Sequence, residues 1–306
     1  MRHSRREFLK KSAVAAASAS ALVNGAKSLA QTLHLPLGVQ LYSVRDLLPK
    51  DYAGTLKGLY ELGFREVESA GYFGHSVAEV KQAIGDAGLK LVSAHYPMGS
   101  LTKDLDQIVE FSHTLGIGTV VCSSPAIKDP ERAKAAKDWA HSFTAEDWKW
   151  NADQLNLLSE KVSAAGMKLG YHNHFMEFHA VDGVTPYDEL LKLTDPAKVT
   201  MEMDCGWVVV GGGNPVDYLR KYPKRITMLH VKDFVRPLGT ASGETPAASE
   251  FKVAELGHGS IDYGPVFAQA AKGGHVQHVF VEQEAFSVPW KDSLKMDADY
   301  MHLHGF

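Results

Sequence analysis

Short apolar runs alternate with amphipathic segments from residue 37 to the end of the chain. Eight runs read as strands: 37–42, 64–68, 89–95, 119–123, 168–172, 199–204, 226–231 and 279–282. Each is short and carries apolar residues such as Val, Leu, Ile, Met, Phe or Tyr. Between them lie segments with apolar positions three and four apart, the spacing of one helix face. These span 52–62, 77–87, 101–115, 145–165, 186–193, 215–221 and 265–271, with an eighth from about residue 287 onward. Gly63, Gly88, Gly116 and Gly166 each follow a helix and precede a strand, where a left-handed residue stops a helix. Strand and helix repeated eight times predict a (β/α)8 barrel, and residues 31–306 fit one such domain. A doubly wound open sheet is the alternative, but no G-x-G-x-x-G follows the first strand.

Residues 1–30 stand outside that pattern. Paired Arg5 and Arg6 precede a run, 13–23, that holds only Ala, Val, Ser and Leu; Ser28-Leu29-Ala30 follows. Basic start, short apolar centre and small-residue exit predict a twin-arginine signal peptide cleaved after Ala30, with the mature protein periplasmic or secreted. The twin-arginine export machinery is then a partner. The apolar centre is too short and too rich in Ala and Ser to be a stable membrane anchor. Of the 32 bases and 36 acids in the chain, residues 1–30 hold six and one, so the remainder carries 26 against 35, a net charge of −9. So acidic a body, with no basic run, does not suit a nucleic-acid binder. Cys122 and Cys205 are the only cysteines, and both sit in apolar runs, which predicts buried free thiols.

Two connections, 124–144 and 234–261, are longer than a barrel needs. Both follow strands, so they fall on the face where barrel enzymes keep their active sites, and long loops there often act as lids. The polar residues collect on that face too. The second strand ends in Glu66-Val67-Glu68, the third in Ser93-Ala94-His95 and the fifth in His172-Asn173-His174, with Glu177 close behind. The sixth ends in Glu202-Met203-Asp204, the seventh in His230-Val231-Lys232-Asp233 and the eighth in Glu282-Gln283-Glu284. Unpaired charges buried together cost several kcal/mol each. One divalent ion resolves that cost, and a mixed imidazole and carboxylate shell suits Mn²⁺, Co²⁺, Fe²⁺ or Zn²⁺ rather than Ca²⁺.

Tyr171-His172-Asn173-His174, Met203-Asp204-Cys205-Gly206-Trp207, His230-Val231-Lys232-Asp233, Gly257-His258-Gly259-Ser260-Ile261-Asp262 and Val281-Glu282-Gln283-Glu284 resemble the xylose-isomerase-like barrel superfamily. That group holds sugar isomerases and epimerases, inosose dehydratase and endonuclease IV, and the resemblance covers nearly the whole chain after residue 30. It implies a metal held by His172, Asp204, His230 and Glu282. His172 stands where Glu is usual, so it is a ligand or a base, and Glu177 or His174 could take the ligand's place. Trp207 stands where endonuclease IV would have a histidine ligand, which argues against a trinuclear zinc cluster.

The implied chemistry is proton abstraction beside a carbonyl that the metal polarises, with His172 or Glu177 opposite Glu282. His95 and Lys232 complete the catalytic candidates, Lys232 as an oxyanion partner. Glu68, His95, His174, Trp207 and His258 would bind a small carbohydrate or cyclitol, with His258 and Asp262 closing over it. Glu202, one layer deeper than Asp204, reads as a buried structural partner. The leading expectation is an exported metal-dependent sugar isomerase or epimerase. A 3-keto-glycoside lyase or hydrolase and a non-catalytic sugar-binding barrel are the alternatives.

Overall fold

The structure, a computed structural model, describes residues 33–237 and 247–306. The expected signal peptide and nine residues of the second long connection lie outside the described residues. Ten strands are present among the described residues: β1 (Leu37–Gln40), β2 (Glu66–Ser69), β3 (Lys90–Tyr96), β4 (Thr119–Cys122), β5 (Lys168–His172), β6 (Val199–Asp204), β7 (Ile226–Val231), β8 (Asp233–Val235), β9 (Lys252–Ala254) and β10 (His278–Val281). Eight of them close into a parallel barrel in the order β1–β10–β7–β6–β5–β4–β3–β2, while β8 and β9 form an antiparallel hairpin. The closed barrel replaces the open-sheet alternative.

The helices are α1 (Tyr52–Glu61), α2 (Val77–Ala87), α3 (Met98–Leu115), α4 (Pro130–Ala135), α5 (Ala145–Ala164), α6 (Pro186–Leu193), α7 (Cys205–Val210), α8 (Pro215–Lys221), α9 (Gly264–Gly273) and α10 (Trp290–Leu303). Local chemistry sets their ends. Reciprocal hydrogen bonds between Ser76 and Glu79 and between Thr144 and Asp147 start α2 and α5. Gly63, Gly88, Gly116 and Gly166 all take positive φ, as the sequence predicts. Other boundaries differ from the sequence pattern. β1 stops at Gln40 because its side chain accepts the Tyr42 N–H and turns the chain into a 3₁₀ segment. α3 begins at Met98 rather than residue 101 and is kinked at Asp104. α7 is absent from the sequence pattern; Asp204 caps it by accepting the Trp207 N–H.

The core lies between barrel and helices, with Leu56, Leu59, Val162 and Leu190 among its fully buried members. At about 1.5–3 kcal/mol per buried aliphatic side chain, this layer is the main source of stability. Inside the barrel, Val92, Val121, Met228 and Phe280 form a separate apolar plug. Gly38 leaves room for it, since a Cβ there would fall 2.6 Å from the Phe280 ring. Cys122 and Cys205 are buried and free.

Two backbone features shape the barrel mouth. The β2–β3 register runs Val67↔Leu91, then Glu68↔Ser93, so Val92 is an extra residue. A bulge of this kind reverses the alternation of side chains and re-aims the residues beyond it. It puts His95 on the same face as Glu68. The second feature is Asp233, fully buried after β7, whose carboxylate accepts N–H groups from Phe234, Gly257, Gly259, Ser260 and Ile261 at 2.8–3.1 Å. A Cβ at Gly259 would sit 2.1 Å from Asp233 Oδ1. The glycine-rich 257–262 segment is therefore a cradle for Asp233. The 124–144 connection is pinned as well: Arg132 grips both Asp147 oxygens, Nη1 to Oδ1 at 3.1 Å and to Oδ2 at 3.0 Å. That attachment ties the connection to the start of α5.

Candidate functional site

Strand alternation delivers the site. Glu68, His95, His172, Glu202, Asp204 and His230 all come together inside the barrel near its C-terminal end. Above them opens a cavity of about 360 Å³ lined by Tyr42, His95, Ser123, His172, His174, Trp207, Glu282 and Glu284, among others. Its volume is in the range of small-molecule sites.

His172, Asp204, His230 and Glu282 bring one donor atom each to within 4.8 Å of one another. His172 Nε2 lies 3.9 Å and His230 Nδ1 4.0 Å from Asp204 Oδ2, and His230 Nδ1 lies 3.2 Å from Glu282 Oε2. An ion with bonds of about 2.0–2.2 Å spaces its ligand atoms about 3–4.4 Å apart, so these four fit one cation. A second quartet, His95, His172, Glu202 and His230, is as compact. Its atoms are in hydrogen-bond contact: His95 Nε2 is 2.6 Å and His172 Nδ1 3.1 Å from Glu202 Oε2.

The far nitrogens of the two histidines in the first quartet are held by carboxylates. His230 Nε2 meets Glu68 Oε1 at 2.7 Å, and His172 Nδ1 meets Glu202 Oε2. Gln40 Nε2 in turn donates to Glu68 Oε1 at 2.7 Å. Metal-binding histidines are characteristically oriented by such partners.

Electrostatics points the same way. Glu68, Glu202, Asp204, Glu282 and Glu284 bring five carboxylates into one buried cluster, where Lys232 is the only ammonium among the described residues. Lys232 Nζ contacts Asp204 Oδ2 at 2.8 Å, Glu282 Oε2 at 2.5 Å and Glu284 Oε1 at 2.6 Å. Burial opposes the Lys232 charge, but these three carboxylates hold its pKa well above the ordinary value. Burial likewise opposes His230, and Glu202, Glu282 and Glu68 carry it well above the imidazole range. His95, with Glu68 and Glu202 outweighing burial, is raised to about 10. Even with both imidazoles protonated, five negative charges face three positive ones. Burial raises Asp204 to about 6 against the pull of Lys232 and His230. His172 is pushed well below its usual value by burial, then by His230 and His95, and stays neutral, the form that binds a metal.

Several expected residues play other parts. Glu177 does not line the cavity: its carboxylate accepts the Tyr171 hydroxyl at 2.7 Å and the His174 N–H at 3.0 Å, and burial raises it to about 7. It braces the loop after β5 and is out of reach as a base. His258 and Asp262 are exposed and do not close over the mouth, because their segment is spent on Asp233. Glu68 sits beneath the cavity, turned toward His230 and His95 rather than toward a substrate. Lys232 is saturated by three carboxylates, so it is not a free oxyanion partner.

Glu202 is buried as expected but touches His95, His172 and His230 at once. His174 and Trp207 do line the cavity, with ring centres 6.1 Å apart. His174 is driven down to about 3 by burial and Lys232, and its Nδ1 has no partner; nor has Trp207 Nε1. Sequence reasoning placed Glu284 at the end of the eighth strand without giving it a role, and it missed Gln40. Glu284 is visible in the sequence as the same-face neighbour of Glu282, two residues on; nothing local marks Gln40.

A model of the xylose isomerase-like TIM barrel family matches residues 56–303. An inosose dehydratase of Clostridium botulinum (strain Alaska E43 / Type E3) is 28% identical over 236 residues, covering 72% of this chain and 78% of that protein. The crystal structure of a sugar phosphate isomerase/epimerase from Parabacteroides distasonis ATCC 8503 superposes with a TM-score of 0.68 at 28% identity, over 88% of this chain and 98% of that one. The IolI protein, crystallised with a zinc atom, shares the fold at 14% identity, with a TM-score of 0.66 over 88% and 98%.

The Lys232 contacts generate a test. In metal-free protein, Lys232→Met leaves the buried Asp204 and Glu282 and the half-buried Glu284 without their counter-ion and should cost about 3–5 kcal/mol of stability. Added Mn²⁺ should restore part of that loss. Urea unfolding with EDTA and with Mn²⁺ measures both effects; an unchanged midpoint in EDTA contradicts the charge account.

Proposed function

The chain belongs to the xylose isomerase-like TIM barrel family, and on that footing we propose a metal-dependent enzyme that removes a proton beside a carbonyl of a sugar or cyclitol and expels an oxygen from the next carbon. The observation that carries this reading is the quartet of His172, Asp204, His230 and Glu282 at the floor of a cavity whose wall presents Glu284. A divalent ion held by those four residues supplies Lewis acidity at a substrate carbonyl and acidifies the neighbouring C–H.

This chain's own groups move the protons. Glu284 keeps one oxygen on Lys232 Nζ and, with its side chain 26% exposed, has the other edge available to the cavity. Its carboxylate takes the proton from carbon as the double bond forms. The resulting Glu284 carboxylic acid gives that proton to the departing oxygen, which leaves as water, while Lys232 stays on its carboxylates and fixes Glu284 in place. His174, neutral and with Nδ1 unpartnered, orients a hydroxyl, and Trp207 offers its ring face to the sugar. The acid–base groups lie on the β10 side of the mouth, and that asymmetry favours elimination. The similarity to an inosose dehydratase supports the same direction. The likeness to a sugar phosphate isomerase/epimerase favours a second reading, in which the proton returns to carbon and no oxygen leaves.

Incubation of the Mn²⁺-loaded protein with a keto-inositol in D₂O, followed by proton NMR and ultraviolet absorbance, separates these. Elimination predicts loss of a C–H signal with a rise in absorbance from the conjugated ketone; return of the proton predicts deuterium uptake without that rise. Glu284→Gln should lower kcat about 10²–10⁴-fold with metal content unchanged. Binding with neither exchange nor product favours a sugar-binding barrel and overturns the enzyme reading.

We also propose, from Arg5, Arg6 and the apolar run at 13–23, that residues 1–30 direct export by the twin-arginine route. Replacing both arginines with lysine should leave the precursor in the cytoplasm on cell fractionation; normal export of that variant contradicts the assignment.

A further inference from the structure

The two carboxylates behind the ligand histidines come from opposite walls. Glu68 stands on β2 and Glu202 on β6, four strands apart around an eight-strand barrel. Like charges this close repel, and nothing in their own strands holds them together. Two imidazoles lie between them: His230, whose Nε2 is 2.7 Å from Glu68 Oε1 and 3.3 Å from Glu202 Oε2, and His95, which is outside the metal quartet. His95 Nε2 is 2.9 Å from Glu68 Oε1 and 2.6 Å from Glu202 Oε2. The same ring stacks on His230 at 5.3 Å with planes 8° apart, and leans on His172 at 4.8 Å and 58°.

We infer that His95 is a positioning residue of the metal centre, its single Nε2–H spanning Glu68 and Glu202 so that each carboxylate fixes one ligand histidine. The inference rests on the metal-site reading above. An imidazole ligand is useful only if its ring is turned so that the lone pair meets the ion. Glu68 turns His230 from the Nε2 side and Glu202 turns His172 from the Nδ1 side, which leaves His230 Nδ1 and His172 Nε2 facing Asp204. Each carboxylate makes all these contacts through one oxygen: Glu68 Oε2 and Glu202 Oε1 have no hydrogen-bond partner. Their orientation therefore depends on the contacts to the one engaged oxygen, which are His95, His230 and Gln40 at Glu68 and His95, His172 and His230 at Glu202. The bulge at Val92 has its use here, because without the extra residue His95 would face the helices.

Removal of such a partner typically weakens metal binding about 10–100-fold. The test is Co²⁺ titration, followed by visible absorption and by competition with a chelating dye, on the native chain, His95→Phe and His95→Gln. Phenylalanine keeps the ring volume without the donor; a glutamine amide nitrogen falls near the Nε2 position and can donate to both carboxylates. The phenylalanine variant should bind Co²⁺ at least about tenfold more weakly with a shifted spectrum, and glutamine should recover affinity to within about threefold. If His95→Phe does not fold by circular dichroism, His95→Asn, whose amide is too short to span both carboxylates, replaces it with the same expectation. Native affinity and spectrum in the donor-less variant overturn the positioning role while leaving the metal site standing. Failure of the native chain to bind Co²⁺ overturns the metal-site reading, and this inference with it.

Discussion

Taking a carboxylate out of water costs several kcal/mol unless an opposite charge or hydrogen-bond donors meet it, and this barrel does so five times within one mouth. Glu68, Glu202, Asp204, Glu282 and Glu284 come from three separate strand positions around the ring, so no single segment can neutralise them. Lys232 answers three of the five and the imidazoles of His95 and His230 answer the rest in part. Two negative charges are left over. Everything else at the mouth depends on that surplus: why imidazole pKa values rise, why Lys232 is locked, and why four donors stand at spacings suited to a cation.

The scaffold is built to bear this strain. An apolar plug of Val92, Val121, Met228 and Phe280 closes the barrel below, so the charges cannot be relieved by water from the far end. Asp233, just beyond the cluster, is satisfied by five backbone amides and keeps the β8–β9 hairpin tied to the barrel rim. Stretches that resemble the family thus divide in two. His172, Asp204, His230 and Glu282 converge at the barrel mouth, with His172 and Glu282 in the cavity lining. The glycine-rich 257–262 segment carries architecture, since its amides fold around a buried acid.

The barrel was legible because its signal is periodic: barrel strands of four to seven residues, helices between them and glycine stops. The meeting of His172, Asp204, His230 and Glu282 was implied by the family resemblance, and the structure brings their donor atoms together. What escaped were facts of register and of side-chain reach. Glu177 lies past β5 in a turn that swings it outside the barrel to Tyr171, which no alternation rule covers. His95 depends on a one-residue bulge that leaves no mark in the hydropathy pattern. His258 looked functional beside two glycines, whereas the glycines serve Asp233 and the imidazole faces solvent. Glu284 needed only the same two-residue step that links Glu202 to Asp204.

The central claim is that the surplus charge is a seat for one divalent cation. Elemental analysis of the purified protein beside Asp204→Asn tests it most directly. Asparagine keeps the oxygen that caps α7 through the Trp207 N–H, so the fold is spared while the charge is removed. The account predicts about one Mn, Fe, Co or Zn per native chain and far less in the variant. A native protein that holds none of these metals, even after dialysis against each, contradicts it.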